Sequence, residues 1–120
     1  MKAIIAGSRN FDDYNLLEQT VRIWFREHNL HRTDVEIVSG TAKGADRLGE
    51  QFANKFGLKL TKFPADWNQY GKSAGYRRNL EMAKYADMVF IFWDGQSRGT
   101  KMMIDLAKQY NLEIIITKYT

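Results

Sequence analysis

Cysteine is absent from this chain of 120 residues, proline occurs once, at Pro64, and histidine only twice, at His28 and His31. The missing cysteines exclude disulfides, thiolate nucleophiles and thiolate metal sites together, and they suit a cytoplasmic protein. With two histidines, both near the end of the first helical stretch, no metal site is expected; solvated positions at a helix end are their plainer role. No stretch approaches the roughly 20 uninterrupted apolar residues that span a bilayer, and the N-terminus enters a strand-like run without a signal-peptide pattern. A soluble chain with no membrane partner is therefore expected. The charge excess is small: 18 Lys and Arg stand against 14 Asp and Glu, a net +4. It favours a phosphate-bearing partner without separating a nucleotide from a nucleic acid.

What is present is a regular alternation. Strand-like runs at 2–6, 35–38, 58–63, 88–93 and 113–117 alternate with helix-like stretches at 14–28, 45–56, 74–85 and 99–110. Leu17, Val21, Trp24 and Phe25 recur at helical spacing in the first helix. Leu48, Phe52 and Phe56 do so in the second, with Gly57 as its stop. Tyr76, Leu80, Ala83 and Ala86 form the expected buried stripe of the third, and Met103, Leu106, Ala107 and Tyr110 that of the fourth. With 44% hydrophobic residues the chain can bury one core and is too short for two ordinary domains. Five strands separated by four helices predict an α/β fold: a single Rossmann-like three-layer domain over residues 1–120. Its mostly parallel five-stranded sheet is expected in the order 3-2-1-4-5, with the crevice between the first and fourth strands.

Glycines fall where that topology puts its strand-to-helix turns, which all lie on one edge of a parallel sheet. In the first turn Gly7 allows close backbone approach, Ser8 offers a hydroxyl and Arg9 is a phosphate or carboxylate partner. The second turn, Ser39 to Asp46, brackets Thr41-Ala42-Lys43 with Gly40 and Gly44 just before a helix, leaving N–H groups at a positive dipole end. Asp46 sits where the dipole stabilises a carboxylate with or without contact to a ribose hydroxyl. No Gly-Lys-Ser/Thr ends this loop, so it is not a Walker A motif. A long irregular third loop carries Trp67 and Tyr70, as a lid, a base-stacking platform or packing over the sheet edge. Asn79, on the buried stripe of the next helix, must either cap backbone or meet a ligand. The fourth turn places Asp94, Ser97, Gly99 and Thr100 at a helix start, again suited to a phosphate or to ordinary N-capping.

The set Gly7-Ser8-Arg9, Ser39-Gly40-x-Ala42-x-Gly44-x-Asp46, Arg78-Asn79-x-x-Met82 and Gly99-Thr100 resembles the SLOG superfamily, which joins DprA/Smf DNA-processing proteins to LOG-type nucleotide hydrolases. Phe63-Pro64-Ala65-Asp66-Trp67 and Trp93-Asp94-Gly95-x-Ser97-Arg98-Gly99-Thr100 look closer to its small stand-alone YspA/YpsA-like branch. The resemblance covers nearly the whole chain. It implies a nucleotide or nucleotide-derived ligand, such as an ADP-ribose, NAD-like or signalling nucleotide, sensed or sequestered at the sheet edge with no further cofactor. Gly7, Ser8, Arg9, Ser39, Gly40, Gly44, Ser97, Gly99 and Thr100 would hold phosphates or ribose; Asp46, Asn79 and Asp94 would read hydroxyls or the base; Trp67 would cover the pocket and Arg78 meet charge. A homodimer is implied by resemblance too. The alternatives are an N-glycosidic hydrolase or transferase, with Arg78 its best catalytic candidate, and a DprA-like single-stranded DNA-binding module using Trp67, Tyr70, Tyr76 and Arg77. LOG-type hydrolases pair their arginine with a glutamate three positions after the Gly-Thr pair. That position holds Met103 here. Thr41 also replaces the glycine usual in the YspA-like pattern.

Overall fold

Alternating strand residues decide the layering. In β1 (Lys2–Gly7) and β4 (Met88–Trp93), nearly every side chain is buried, as a strand covered on both faces requires. Ala3, Ile5, Met88, Phe90 and Phe92 join Leu17, Val21 and Trp24 of α1 (Tyr14–Glu27) and Phe52 of α2 (Ala45–Phe56) in one core layer. Ile4, Ala6, Val89 and Ile91 face the other way, onto Met82 and Ala83 of α4 (Ala74–Tyr85) and Met103, Ile104, Leu106 and Ala107 of α5 (Arg98–Gln109). The structure, a computed structural model, describes residues 1–119.

The sheet is all parallel, in the order β3-β2-β1-β4-β5, with β2 at Glu36–Ser39, β3 at Lys59–Lys62 and β5 at Glu113–Lys118. This is the expected topology, and the limits of the expected elements differ from the sequence pattern by at most one residue. Gly57 ends α2 in the left-handed conformation (φ 67°), as its position predicts. No helix among the described residues is long and apolar enough to cross a membrane.

Two details depart from expectation. The third loop is not wholly irregular: Asp66 accepts from the Gln69 N–H at 3.1 Å and caps a one-turn helix, α3 (Trp67–Tyr70), followed by a 3₁₀ turn at Gly71–Ser73. Among the described residues there are thus five α-helices rather than four. Tyr76 is not on the buried stripe of α4, being 46% exposed; the stripe consists of Ala74, Asn79, Met82 and Ala83. The sequence pattern placed an aromatic ring inside, whereas the helix turns its small and flexible side chains to α5 and the sheet.

Candidate functional site

Strand order reverses between β1 and β4, so the chain leaves β1 toward α1 on one face and leaves β4 toward α5 on the other. The opening this creates is a cavity of about 300 Å³. Of the residues singled out in the sequence, Gly7, Arg9, Asp46 and Trp67 border it, as do Arg78 and Asn79 of α4 and Ser97, Gly99 and Thr100 at the start of α5. Sequence-distant turns therefore do meet at one edge.

The other candidates, Ser8, Ser39, Gly40, Gly44 and Asp94, lie outside its lining. Ser8, 1% exposed, donates its N–H to the Phe92 carbonyl at 2.9 Å, and its hydroxyl accepts from the Asp94 N–H at 3.2 Å, tying the first turn to the fourth. Ser39 is fully buried; its hydroxyl donates to Glu50 at 2.7 Å and accepts from the Thr41 N–H at 3.0 Å. Asp94 accepts the N–H groups of Gln96 and Ser97 at 2.8 Å each, and these bonds hold its carboxyl below the usual range. Gly44, with φ 89°, is wedged against the first turn, where a Cβ would come within 2.5 Å of the Ser8 carbonyl oxygen. It borders a neighbouring depression with Arg9, Lys43 and Arg47. These residues shape the loops that carry the cavity wall. Thr41 holds a left-handed φ of 65°, which explains why a glycine suits that position.

Asp46 and Arg78 form the charged corner of the cavity, and Gly40, outside its lining, packs against both. Asp46 is 6% exposed and accepts the Ala42 N–H at 3.1 Å. Burial pushes its carboxyl up from 3.8 to about 6, against the opposing pull of that hydrogen bond and of Arg78 and Arg9. Arg78 donates Nη1 to the Gly40 carbonyl and Nε to the Asn79 side-chain oxygen at 2.8 Å; burial lowers its pKa. A Cβ on Gly40 would sit 2.8 Å from Asp46 Oδ2 and 3.0 Å from Arg78 Cδ, so this glycine lets the carboxylate and the guanidinium close over it. Asn79 thus steadies Arg78 with its side-chain oxygen and is itself part of the cavity lining.

Opposite this corner, the Ser97 hydroxyl accepts from the Thr100 hydroxyl at 3.0 Å and caps the Thr100 N–H at 3.4 Å. At the first turn of α5 the N–H groups of Arg98 and of the cavity-lining Gly99 have no hydrogen-bond partner among the described residues. Lys72, missed in the sequence because it sits in an irregular stretch, is the third cation at the cavity after Arg9 and Arg78. None of the three has a carboxylate within 4 Å among the described residues, and Asp46 is the sole acid in the wall. Cations and open N–H groups give the cavity a field that attracts an anion. Its floor is apolar, with Met82, Met102 and Met103. At the rim Trp67 is 53% exposed, close to Gly75, and the Arg77 guanidinium stands 4.3 Å from the centre of the Tyr70 ring.

Residues 1–70 match the model of a family described as YAcAr, the YspA, cpYpsA-related SLOG family. The chain is 30% identical over 124 residues to the Gene 61 protein of Mycobacterium phage D29, a match covering 95% of this chain and 94% of the phage protein. It is also similar to a solved structure of DNA processing protein A from Helicobacter pylori, at a TM-score of 0.69 and 20% identity. That likeness covers 100% of this chain but only 66% of the other, so the chain spans a part of that protein's length. The Helicobacter protein's structure is reported for its binding of single-stranded DNA.

Proposed function

Since the chain belongs to the YAcAr family of YspA- and cpYpsA-related SLOG proteins, we propose that its β1/β4 cavity binds a nucleotide or nucleotide-derived ligand, as a sensing or sequestering module. The observation that carries this reading is the convergence of Arg9, Lys72 and Arg78, without carboxylate partners, on a cavity that the open N–H groups at the start of α5 also border. Phosphate oxygens would take the guanidinium and N–H donors. Asp46 and the Asn79 amide would read ribose hydroxyls or a base edge, and Trp67 would stack over the base. A cavity of about 300 Å³ lies at the small end of ligand pockets and suits one nucleotide-sized body.

Thermal unfolding with AMP, ADP-ribose, NAD and cyclic nucleotides tests the reading. At a hundredfold excess over its dissociation constant a ligand of the native state adds about 2.7 kcal/mol, which is visible as a rise in Tm. At least one member should give that rise, and Arg78→Ala should abolish most of it, because charge-assisted hydrogen bonds are worth roughly 1.5–3 kcal/mol. A flat panel, or an unchanged response in the variant, would contradict the proposal.

A second reading is supported by the rim. Trp67, Tyr70 and Tyr76 are exposed beside Lys72 and Arg77, a stacking and cationic surface of the kind single strands use, and the structurally similar Helicobacter protein binds single-stranded DNA. A hydrolase is the least supported. Met103, 2% exposed, lies in the cavity floor where a LOG-type enzyme needs its glutamate, so neither a general base nor a charge for an oxocarbenium-like transition state is supplied there.

A further inference from the structure

The opposite edge of the sheet, where the chain enters its strands, carries a cavity of about 410 Å³, larger than the one at β1/β4. Phe25 and Leu30 at the end of α1, Phe52 and Phe56 of α2, and Leu58 make its apolar floor. Arg22, Arg26, His31 and Arg32 stand around it, and no acidic side chain does.

Two observations set it apart from a chance gap between helix ends. The walls are fixed by their own backbone. The Leu30 N–H bonds the Phe25 carbonyl at 2.9 Å across a left-handed Asn29, and the Leu58 N–H bonds the Ala53 carbonyl at 2.9 Å across the left-handed Gly57. These turns satisfy terminal carbonyls of both helices, so the arginines are not needed to cap them. The arginines are also short of counterparts. Arg26 and Arg32 make no ion pair or side-chain hydrogen bond among the described residues. Arg22 reaches Glu18 at 3.5 Å and lies over the Phe56 ring at 5.2 Å.

An aromatic floor flanked by the two unpaired guanidinium groups of Arg26 and Arg32 is complementary to a small molecule with an apolar body and an anionic end, and the planar fork of arginine matches a carboxylate in particular. We propose that this cavity binds a small apolar carboxylate, its body on Phe25, Phe52 and Phe56 and its carboxylate between Arg26 and Arg32. The volume falls within the range of small-molecule pockets. The site shares no residue with the β1/β4 cavity, so it stands or falls independently of the nucleotide reading.

Calorimetric titration of the whole chain with octanoate, octanol and acetate tests it, since octanol keeps the body without the charge and acetate the charge without the body. Octanoate should give saturable heat, with the other two at least about tenfold weaker. The double variant Arg26→Ala/Arg32→Ala should weaken octanoate about tenfold. Lys84→Ala/Lys108→Ala, which removes the same charge from exposed positions elsewhere, should leave it unchanged. The proposal is overturned if octanoate gives no saturable heat, if octanol binds as tightly, or if the two double variants weaken octanoate equally. It is also overturned if sedimentation shows a dimer that Arg26→Ala/Arg32→Ala dissociates, which would assign the cavity to a second copy of the chain.

Discussion

Asp46 is the residue on which the local electrostatics turn. Its carboxyl is raised to about 6 because burial outweighs the Ala42 N–H and the two arginines. A folded-state value above the unfolded one means that the native protein binds the proton more tightly, so this group favours folding fully below about pH 4. That contribution is lost as pH rises from there through about 6. Asp46→Asn keeps an oxygen for the Ala42 N–H and removes the buried charge. It is expected to raise stability at pH 7.5 by roughly 1–3 kcal/mol and to change it little at pH 4, read by denaturant unfolding at the two pH values. Equal effects at both would contradict the assignment. Little of this could be read in the sequence. The position of Asp46 in a helix first turn is visible there, but neither its burial nor the opposing charge of Arg78, brought from 32 positions away on α4, is.

At the scale of elements, the glycines divide into those that join elements and those that leave space. A Cβ on Gly7 would lie 2.0 Å from the Phe92 carbonyl oxygen, in the backbone of the neighbouring strand, whereas one on Gly99 meets nothing within 4 Å. Gly7→Ala should therefore cost several kcal/mol of stability, of the order seen when backbone must shift. Gly99→Ala should preserve or slightly raise it, because alanine is the better helix former. Only the second is then a clean probe of the α5 start, and it should weaken nucleotide while Tm holds. A Gly7→Ala protein as stable as the parent would show that β1 and β4 are joined differently. The parallel order and the meeting of the turns were legible because hydrophobic periodicity and right-handed crossover leave few alternatives. Which turn residues face the cavity was not: Ser8 and Ser39 carry the same hydroxyl as Ser97 and Thr100, Asp94 is as polar as any of them, and only their placement in the fold separates fasteners from wall. The α3 turn escaped because four residues are too few for a period, although Asp66 three positions before Gln69 was its signal.

For the whole molecule, the modest +4 charge matters less than where cations are left unpaired, and at the C-terminal sheet edge they border one cavity and its aromatic rim. A single nucleotide held there replaces few counterions, so its affinity should depend weakly on salt. A strand running over Trp67, Tyr76 and Arg77 should show a log–log slope near −0.7 for each phosphate contacted. A slope steeper than about −2 in fluorescence anisotropy would favour the nucleic-acid reading. The central claim, that this edge takes the nucleotide, is tested most directly by amide NMR during titration with whichever of AMP, ADP-ribose, NAD and cyclic nucleotides raises Tm most. The account expects saturable shifts at Gly7, Arg78, Asn79 and Gly99, with Gly57 at the opposite edge unmoved. Saturation with those four amides unmoved, or no saturable shift at all, would contradict it.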